Sequence, residues 1–350
     1  MEIWLFEFLL VLLILLSQKR QQFWAGIIVG LLFLTRGEGI LLAPVIGLYL
    51  WRKNGQFPLK FVVGGTLVGI VWVWYAMTTF GTVIPNTLAA KQAQSALPSG
   101  RHFIERIVLE LLPGYLKPFA FDGVWFLNAY LLLVLIGLIF SVCCAKSDTL
   151  SLLLIWVITY LAGYTILNPQ PYYWYMLHII FVMEVLAGAG IVTLVRMAVK
   201  WQPGWKQRSV LLMVAAVVVV ALAAPMKLLL FKSQAFTGDT RATSYRPVAA
   251  WFRENTAPDD SVAFIEIGYL GYYTNNRIVD LAGLIDPVTT SHLVSGGFSW
   301  AYWHYQPDYY IFTPVFNWAL GDIEADVKAN YEPVAEFQRS NDTLVIYKRK

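Results

Sequence analysis

An arginine and a glutamate separated by one glycine, in Leu34-Thr35-Arg36-Gly37-Glu38-Gly39, stand between two runs of nearly pure hydrocarbon, Phe23–Phe33 and Ile40–Trp51. A charge at bilayer depth costs about 2.5–3.5 kcal/mol on insertion scales, so such residues pair, face a cavity or mark function. Arg36 can hold an anion and Glu38 can orient a partner; a polar turn at the membrane edge would use the same residues. A second cation follows in Gly81-Thr82-Val83-Ile84-Pro85-Asn86-Thr87-Leu88-Ala89-Ala90-Lys91. Pro85 disfavours helix before it, and Asn86 or Thr87 can cap a helix starting there, with Lys91 about one turn in. A helix N-terminus beside a lysine suits an anion. An ordinary capped interfacial helix has the same signature.

Asn168-Pro169-Gln170-Pro171-Tyr172-Tyr173-Trp174-Tyr175 is a rigid turn opening into four aromatics. An interfacial aromatic belt explains it, and so does a platform for a sugar or a prenyl chain. His178 follows Tyr175 by one helical turn and reads as an interior hydrogen-bonding histidine before a catalyst. Nearer the C-terminus, Ile267-Gly268-Tyr269-Leu270-Gly271-Tyr272-Tyr273 reads as a strand end entering a glycine turn, with spacing unlike a dinucleotide fingerprint. Asp280-Leu281-Ala282-Gly283-Leu284-Ile285-Asp286-Pro287 ends a strand with carboxylates at a turn, where α/β ligand sites gather and where Asp-Pro turns also form. Tyr272, Asp280 and Asp286 are the candidates of this region. No Ser/His/Asp or Cys/His set has defensible spacing. His102, His178, His292 and His304 are scattered, and the adjacent Cys143 and Cys144 have no zinc spacing, so no metal ligand is assigned.

The elements that position these residues follow from composition. The 350 residues are 58% hydrophobic, 15% aromatic and only 14% charged, with mean hydropathy +0.57. That composition excludes a soluble globular domain of this size and predicts a polytopic membrane protein. The net charge of +4 is no nucleic-acid signature, because the cations lie in short loops between apolar runs. Eight such runs are expected to form spans: Ile3–Leu16, Phe23–Leu34, Ile40–Trp51, Leu59–Met77, Val124–Ala145, Leu150–Leu167, Tyr172–Val195 and Val210–Phe231. The first three are shorter than the roughly 17–25 residues of a spanning helix. The expected architecture is a helical membrane bundle of about eight spans over 1–232, then a small α/β domain over 233–350. In that domain a helix is expected at Arg246–Asn255, strands at Ser261–Ile267, Arg277–Leu281, Pro307–Phe312 and Thr343–Tyr347, and a short helix at Ile323–Ala329.

Lysines and arginines in alternate short loops (Lys19, Arg20; Arg52, Lys53, Lys60; Lys146; Arg196, Lys200, Lys206, Arg208) mark those loops as cytoplasmic. The Arg36–Glu38 turn, the loop Thr78–Gly123, the Asn168–Pro171 turn and everything after Phe231 are then extracytoplasmic, in the inner or plasma membrane of a cell envelope. Met1 also falls outside, and this suggests one or more segments upstream of it.

Taken together, Leu34–Ile40, Ile84-Pro85-Asn86-Thr87 with Ala90-Lys91, and Gly271-Tyr272-Tyr273 leading to Asp280–Pro287 resemble bacterial membrane glycosyltransferases of the GT-C class, nearest the arabinofuranosyltransferase-like and mannosyltransferase-like branch. The resemblance runs with gaps from about Phe23 to the C-terminus, in short motifs. It implies a pocket at the outer leaflet, a polyprenyl-phosphate sugar as donor, and a glycan, lipid or protein as acceptor. Arg36 and Lys91 would hold the donor phosphate. Glu38, Asn86, Tyr172, Tyr175 and His178 would position substrate. No cofactor is assigned, and assistance by a divalent metal stays open.

One departure weighs against this. The class usually carries its catalytic carboxylate in a first outer loop, and nothing before Arg36 matches; Glu2 and Glu7 sit inside or beside an apolar run. Inverting transfer needs a base for the acceptor proton, so the chain resembles the later part of such an enzyme. The alternative is a non-catalytic assembly or binding protein of the same fold. A transporter of lipid-linked substrates is disfavoured, because no paired interrupted helices are evident.

Overall fold

The computed structural model describes residues 2–97, 101–116, 124–143, 147–201, 240–339 and 342–350. The chain divides into two compact units. The first is helical. It contains α1 (Glu2–Gln18), α2 (Gln22–Thr35), a 3-10 turn (Gly37–Leu41), α3 (Leu42–Asn54) and α4 (Leu59–Phe80). After α5 (Asn86–Ser95), which belongs to the second unit, come the short helical pieces Phe103–Arg106, Ile107–Leu111 and Leu112–Leu116. Then follow α6 (Val124–Cys143), α7 (Asp148–Leu167), a 3-10 turn (Tyr173–Met176) and α8 (Leu177–Trp201).

Among the described residues, three helical stretches are long and apolar enough to cross a membrane: Leu59–Phe80, Asp148–Leu167 and Tyr173–Met197. This is compatible with a membrane protein. The first three apolar runs form helices of 17, 14 and 13 residues. At 1.5 Å per residue these reach only about 20–26 Å, short of a hydrocarbon core of about 30 Å. The expected run Val210–Phe231 lies outside the described residues. One carboxylate, Glu184, sits inside the third spanning stretch and accepts a hydrogen bond from Tyr130 Oη at 3.1 Å.

Two close crossings hold the helices together. A Cβ added to Gly26 would lie 2.0 Å from the Phe61 carbonyl oxygen, and one on Gly64 2.2 Å from that of Phe23, so α2 and α4 meet backbone to backbone. Gly137 and Gly190 do the same for α6 and α8, at 1.9 Å from Leu186 O and 2.1 Å from Leu133 O. Small residues permit this approach, and packing is the main attraction available between helices in lipid. The core of the unit is Phe6, Leu10, Leu13, Leu32, Leu42, Trp156 and Tyr160, all essentially inaccessible.

The second unit is built on a five-stranded sheet in the order β2-β1-β3-β5-β4. Its strands are β1 (Ser261–Phe264), β2 (Arg277–Asp280), β3 (Tyr309–Phe312), β4 (Tyr331–Arg339) and β5 (Asp342–Arg349). β1 is parallel to β2 and β3, with Val262 opposite both Ile278 and Tyr309; β5 is antiparallel to β3 and β4. Alternate residues feed two cores. Val262 and Phe264 pack with Val248 and Phe252 of α9 (Thr240–Asn255), whereas Ala263 packs with Val279, Tyr302 and Tyr310. The expected strands and the α9 helix are therefore present. One expectation differs, and one strand is additional. Ile267–Tyr273 is a helix, α10, which buries Leu270 in the first core and packs Tyr269 and Tyr273, one turn apart, against it. The hairpin strand β4, unforeseen, carries Glu332, Pro333, Glu336 and Gln338 on an edge where polar residues are tolerated. The remaining helices are α11 (Pro287–Gly296), α12 (Trp300–Tyr305) and α13 (Glu324–Asn330), with short turns between Pro314 and Ile323.

Candidate functional site

The backbone at the end of α2 sets up the site. Arg36 leaves the helix in an extended conformation (φ −153°, ψ 136°) while its N–H still bonds to Leu32 O. The tight turn that follows is possible because Gly39 lies against the Leu32 backbone, where a Cβ would come within 2.4 Å of the carbonyl carbon. Glu38 is thereby carried into the bundle, 6% exposed.

There a chain of charges is assembled. Arg36 Nε donates to Glu38 Oε1, and Arg36 Nη1 lies 3.4 Å from Glu2 Oε1. Tyr164 Oη donates to Glu38 Oε2 at 2.9 Å. His178 Nε2 lies 3.2 Å from Glu38 Oε1, and His178 Nδ1 lies 2.5 Å from Glu7 Oε1. His178 is 0% and Glu7 5% exposed, while Glu2 at the near end of the chain is open to its surroundings. Burial opposes ionisation of Glu38. The hydrogen bond from His178 and the charge and hydrogen bond of Arg36 outweigh it, and the carboxyl is held below the usual carboxylate range.

Aromatic rings enclose the chain. Phe6, Tyr160 and Trp156 lie 4.7, 5.0 and 5.7 Å from the His178 ring, centre to centre. Tyr175 stands against Tyr164 at 5.1 Å, under the Arg36 guanidinium at 5.9 Å, and its carbonyl accepts from Tyr160 Oη at 3.0 Å. Tyr172 stacks on Trp174 at 4.7 Å. So Arg36, Glu38, Tyr175 and His178 come together as one cluster, with Tyr172 two side chains away. His178 bonds within the interior, as its position in the sequence suggested. Beside the cluster in sequence, an apolar cavity of about 690 Å³ runs between α2, α3 and α4, lined among others by Phe33, Ile40, Trp51, Phe61 and Trp72.

The other candidates belong to the second unit, which is described by itself. Asn86 does not cap α5. Its amide donates to Gly283 O at 2.8 Å and Thr290 Oγ1 at 2.9 Å, and Gln94 donates to Ala282 O at 3.0 Å, so α5 is clipped along the Asp280–Pro287 loop. Lys91 lies between them in sequence, half-buried on the same helix. Asp280 is 1% exposed and accepts from Ala282 N and Ile285 N, shaping that loop from within. Burial raises its pKa, and the backbone N–H groups only partly offset this. Asp286 caps α11, accepting from Val288 N at 3.0 Å, Thr289 Oγ1 at 2.6 Å and Tyr305 Oη at 3.0 Å. Tyr272 is 80% exposed.

Glu7, Tyr160 and Tyr164 escaped the sequence reading as site residues. Glu7 had a signal: it is the one acid inside an otherwise apolar stretch of α1, and such residues rarely go unpartnered. The tyrosines had none, because a span rich in aromatics is ordinary. Among the described residues no three His, Cys, Asp or Glu side chains converge as metal ligands do.

Comparison with known proteins is informative for the second unit only. A family model described as a domain of unknown function (DUF8728) matches residues 234–347. No curated protein and no solved structure matches the chain.

Proposed function

We propose that the protein is a multi-pass membrane glycosyltransferase, part of a GT-C-like machine that transfers a sugar from a polyprenyl-phosphate donor to an extracytoplasmic glycan, lipid or protein acceptor. The observation that carries this reading is the placement of Arg36. It sits in the turn between Phe33 and Ile40, both lining an apolar cavity, and it heads a buried chain of acids and a histidine. A donor with one phosphodiester charge and a long hydrocarbon chain needs a cation next to an apolar channel. In this reading the prenyl chain lies along α2, α3 and α4, Arg36 holds the phosphate, and Tyr172 and Tyr175 flank the sugar; Lys91, the other cation assigned to phosphate from the sequence, stands on α5 of the second unit. The C-terminal unit is extracytoplasmic, and Asn86, Tyr272, Asp280 and Asp286 belong to or support its acceptor side. Glu38 orients substrate and is not assigned the acceptor proton, because while Arg36 and His178 hold its carboxyl below the usual carboxylate range it is a weak base.

A second reading, a non-catalytic assembly or binding protein of the same fold, is favoured by one observation. The Arg36 charge is already matched by Glu38 and Glu2. Turnover by the native membrane protein, given undecaprenyl- and decaprenyl-phosphate sugars with cell-envelope acceptors, separates the two. Arg36→Ala is expected to abolish transfer while the protein still inserts and folds. Transfer unchanged by Arg36→Ala overturns the assigned role. No transfer from any donor by the wild type favours the binding protein.

A further inference from the structure

Two hydrogen bonds join Glu7, His178 and Glu38. Each needs one proton between the imidazole and a carboxylate, so the triad holds two protons. Two carboxylates and a histidine with two protons carry one net negative charge, whichever atoms the protons sit on. A net charge in so buried a place is costly unless matched. Arg36 matches it, bonded to Glu38. Glu2 lies beyond, half outside the cluster. The other titratable groups facing the triad, Tyr160 and Tyr164 from α7 and Tyr175 from the turn before α8, are phenols, which carry no charge at neutral pH and cannot take over the role of Arg36. Glu7 Oε2 is buried with no hydrogen-bond partner, so among the described residues the triad has room for one more proton.

We propose that the Glu7–His178–Glu38 triad is a proton-loading site coupled to Arg36: an anion that takes the guanidinium away from Glu38 draws one proton from water into the triad. The proton leaves a hydronium ion and forms one O–H bond on a carboxylate of the triad. No electrons change hands. The bound anion and Arg36 then cancel each other, and the triad, now with three protons, is neutral. The proposal rests on the anion-binding role given to Arg36. Its consequence is that phosphodiester binding and proton uptake are thermodynamically linked, so that affinity falls as pH rises, up to tenfold per pH unit across the linked range.

The test is isothermal titration of the detergent-solubilised full chain with methyl octyl phosphate, a singly charged diester that does not itself titrate between pH 5.5 and 8. Measurements in two buffers of different ionisation heat count the protons taken up. The expected result is an uptake approaching one proton per anion over part of that range, lost in Glu7→Gln, which removes one carboxylate and leaves the two-proton triad already neutral. Binding with no buffer dependence and a pH-independent Kd overturns the coupling and leaves the anion role of Arg36 standing. Uptake that persists in Glu7→Gln also overturns it. No binding by the wild type, or equal binding by Arg36→Ala, overturns the anion role and the coupling together.

Discussion

Glu7 Oε1 and His178 Nδ1 lie 2.5 Å apart although 171 residues separate them, and the other nitrogen of the same ring is 3.2 Å from Glu38. One imidazole thus ties α1, the turn after α2 and α8 together inside an apolar bundle. Removing it would leave two buried carboxylates facing each other across a gap. His178→Ala is expected to destabilise the bundle by about 3–5 kcal/mol, the cost of breaking a buried charge pair. His178→Gln, which keeps an amide donor, should lose less. Thermal melting in detergent checks the order: wild type above His178→Gln above His178→Ala. Equal melting of all three would show that the ring does not hold the helices.

The glycine crossings allow a sharp comparison. Gly26 and Gly190 face carbonyl oxygens that cannot swing away, at 2.0 and 2.1 Å from an added Cβ, whereas Gly69 on α4 has nothing within 4 Å. Gly26→Ala and Gly190→Ala should each cost about 1–3 kcal/mol through overpacking. Gly69→Ala should be neutral or stabilising, since alanine is favoured in helix by about 1 kcal/mol. Melting of the three variants in one detergent distinguishes close crossing from mere glycine content.

Residues of the long loop after α4 are built into the C-terminal unit. Asn86 and Gln94, two turns apart on α5, donate to Gly283 and Ala282 of the Asp280–Pro287 loop. Asn86→Ala strips the Gly283 and Leu284 carbonyls of a donor, a loss of about 1–3 kcal/mol for buried groups. Faster amide exchange over Asn86–Ser95 is the expected readout, larger in the Asn86→Ala/Gln94→Ala double variant. Thr87→Ala, on the exposed side of the helix, should leave exchange unchanged.

Asp286 links the fold of the second unit to pH. Burial works to raise its pKa, but hydrogen bonds from Thr289, Tyr305 and Val288 outweigh it, and the folded value is lowered. Its stabilisation is therefore complete above the unfolded pKa, about 3.9, and is lost as pH falls through the lower folded value. Asp280 has the opposite sign: its folded pKa is raised, so its contribution is lost as pH rises through that value. Comparison of wild type with Asp286→Asn isolates the first effect because Asp280 is common to both. Limited proteolysis within Pro287–Gly296 should show a wild-type acid transition below about pH 4 that Asp286→Asn lacks. Asp286→Ala should cost about 0.5–2 kcal/mol at neutral pH, as lost N-caps do.

Much of the local structure was legible in the sequence, because it depends on local physics. Apolar runs with cations between them announce buried helices, and the short apolar runs around Val262–Phe264 and Tyr309–Phe312, each following a turn signal, announce buried strands. Arg36 and Glu38 could be paired from their spacing alone, and Asp286 before Pro287 read as a turn former. The company they keep could not be seen. Glu7 looked misplaced in an apolar run until the packing of α1 against α8 brought His178 to it, and Asn86 looked like a cap until α5 was found against a loop some 200 residues later. Ile267–Tyr273 became a helix because a core needed Leu270, not because its glycines favoured one. Local pattern decides which face of an element is apolar; which elements share a core, and which buried charges find partners there, depends on long-range packing that no local spacing records.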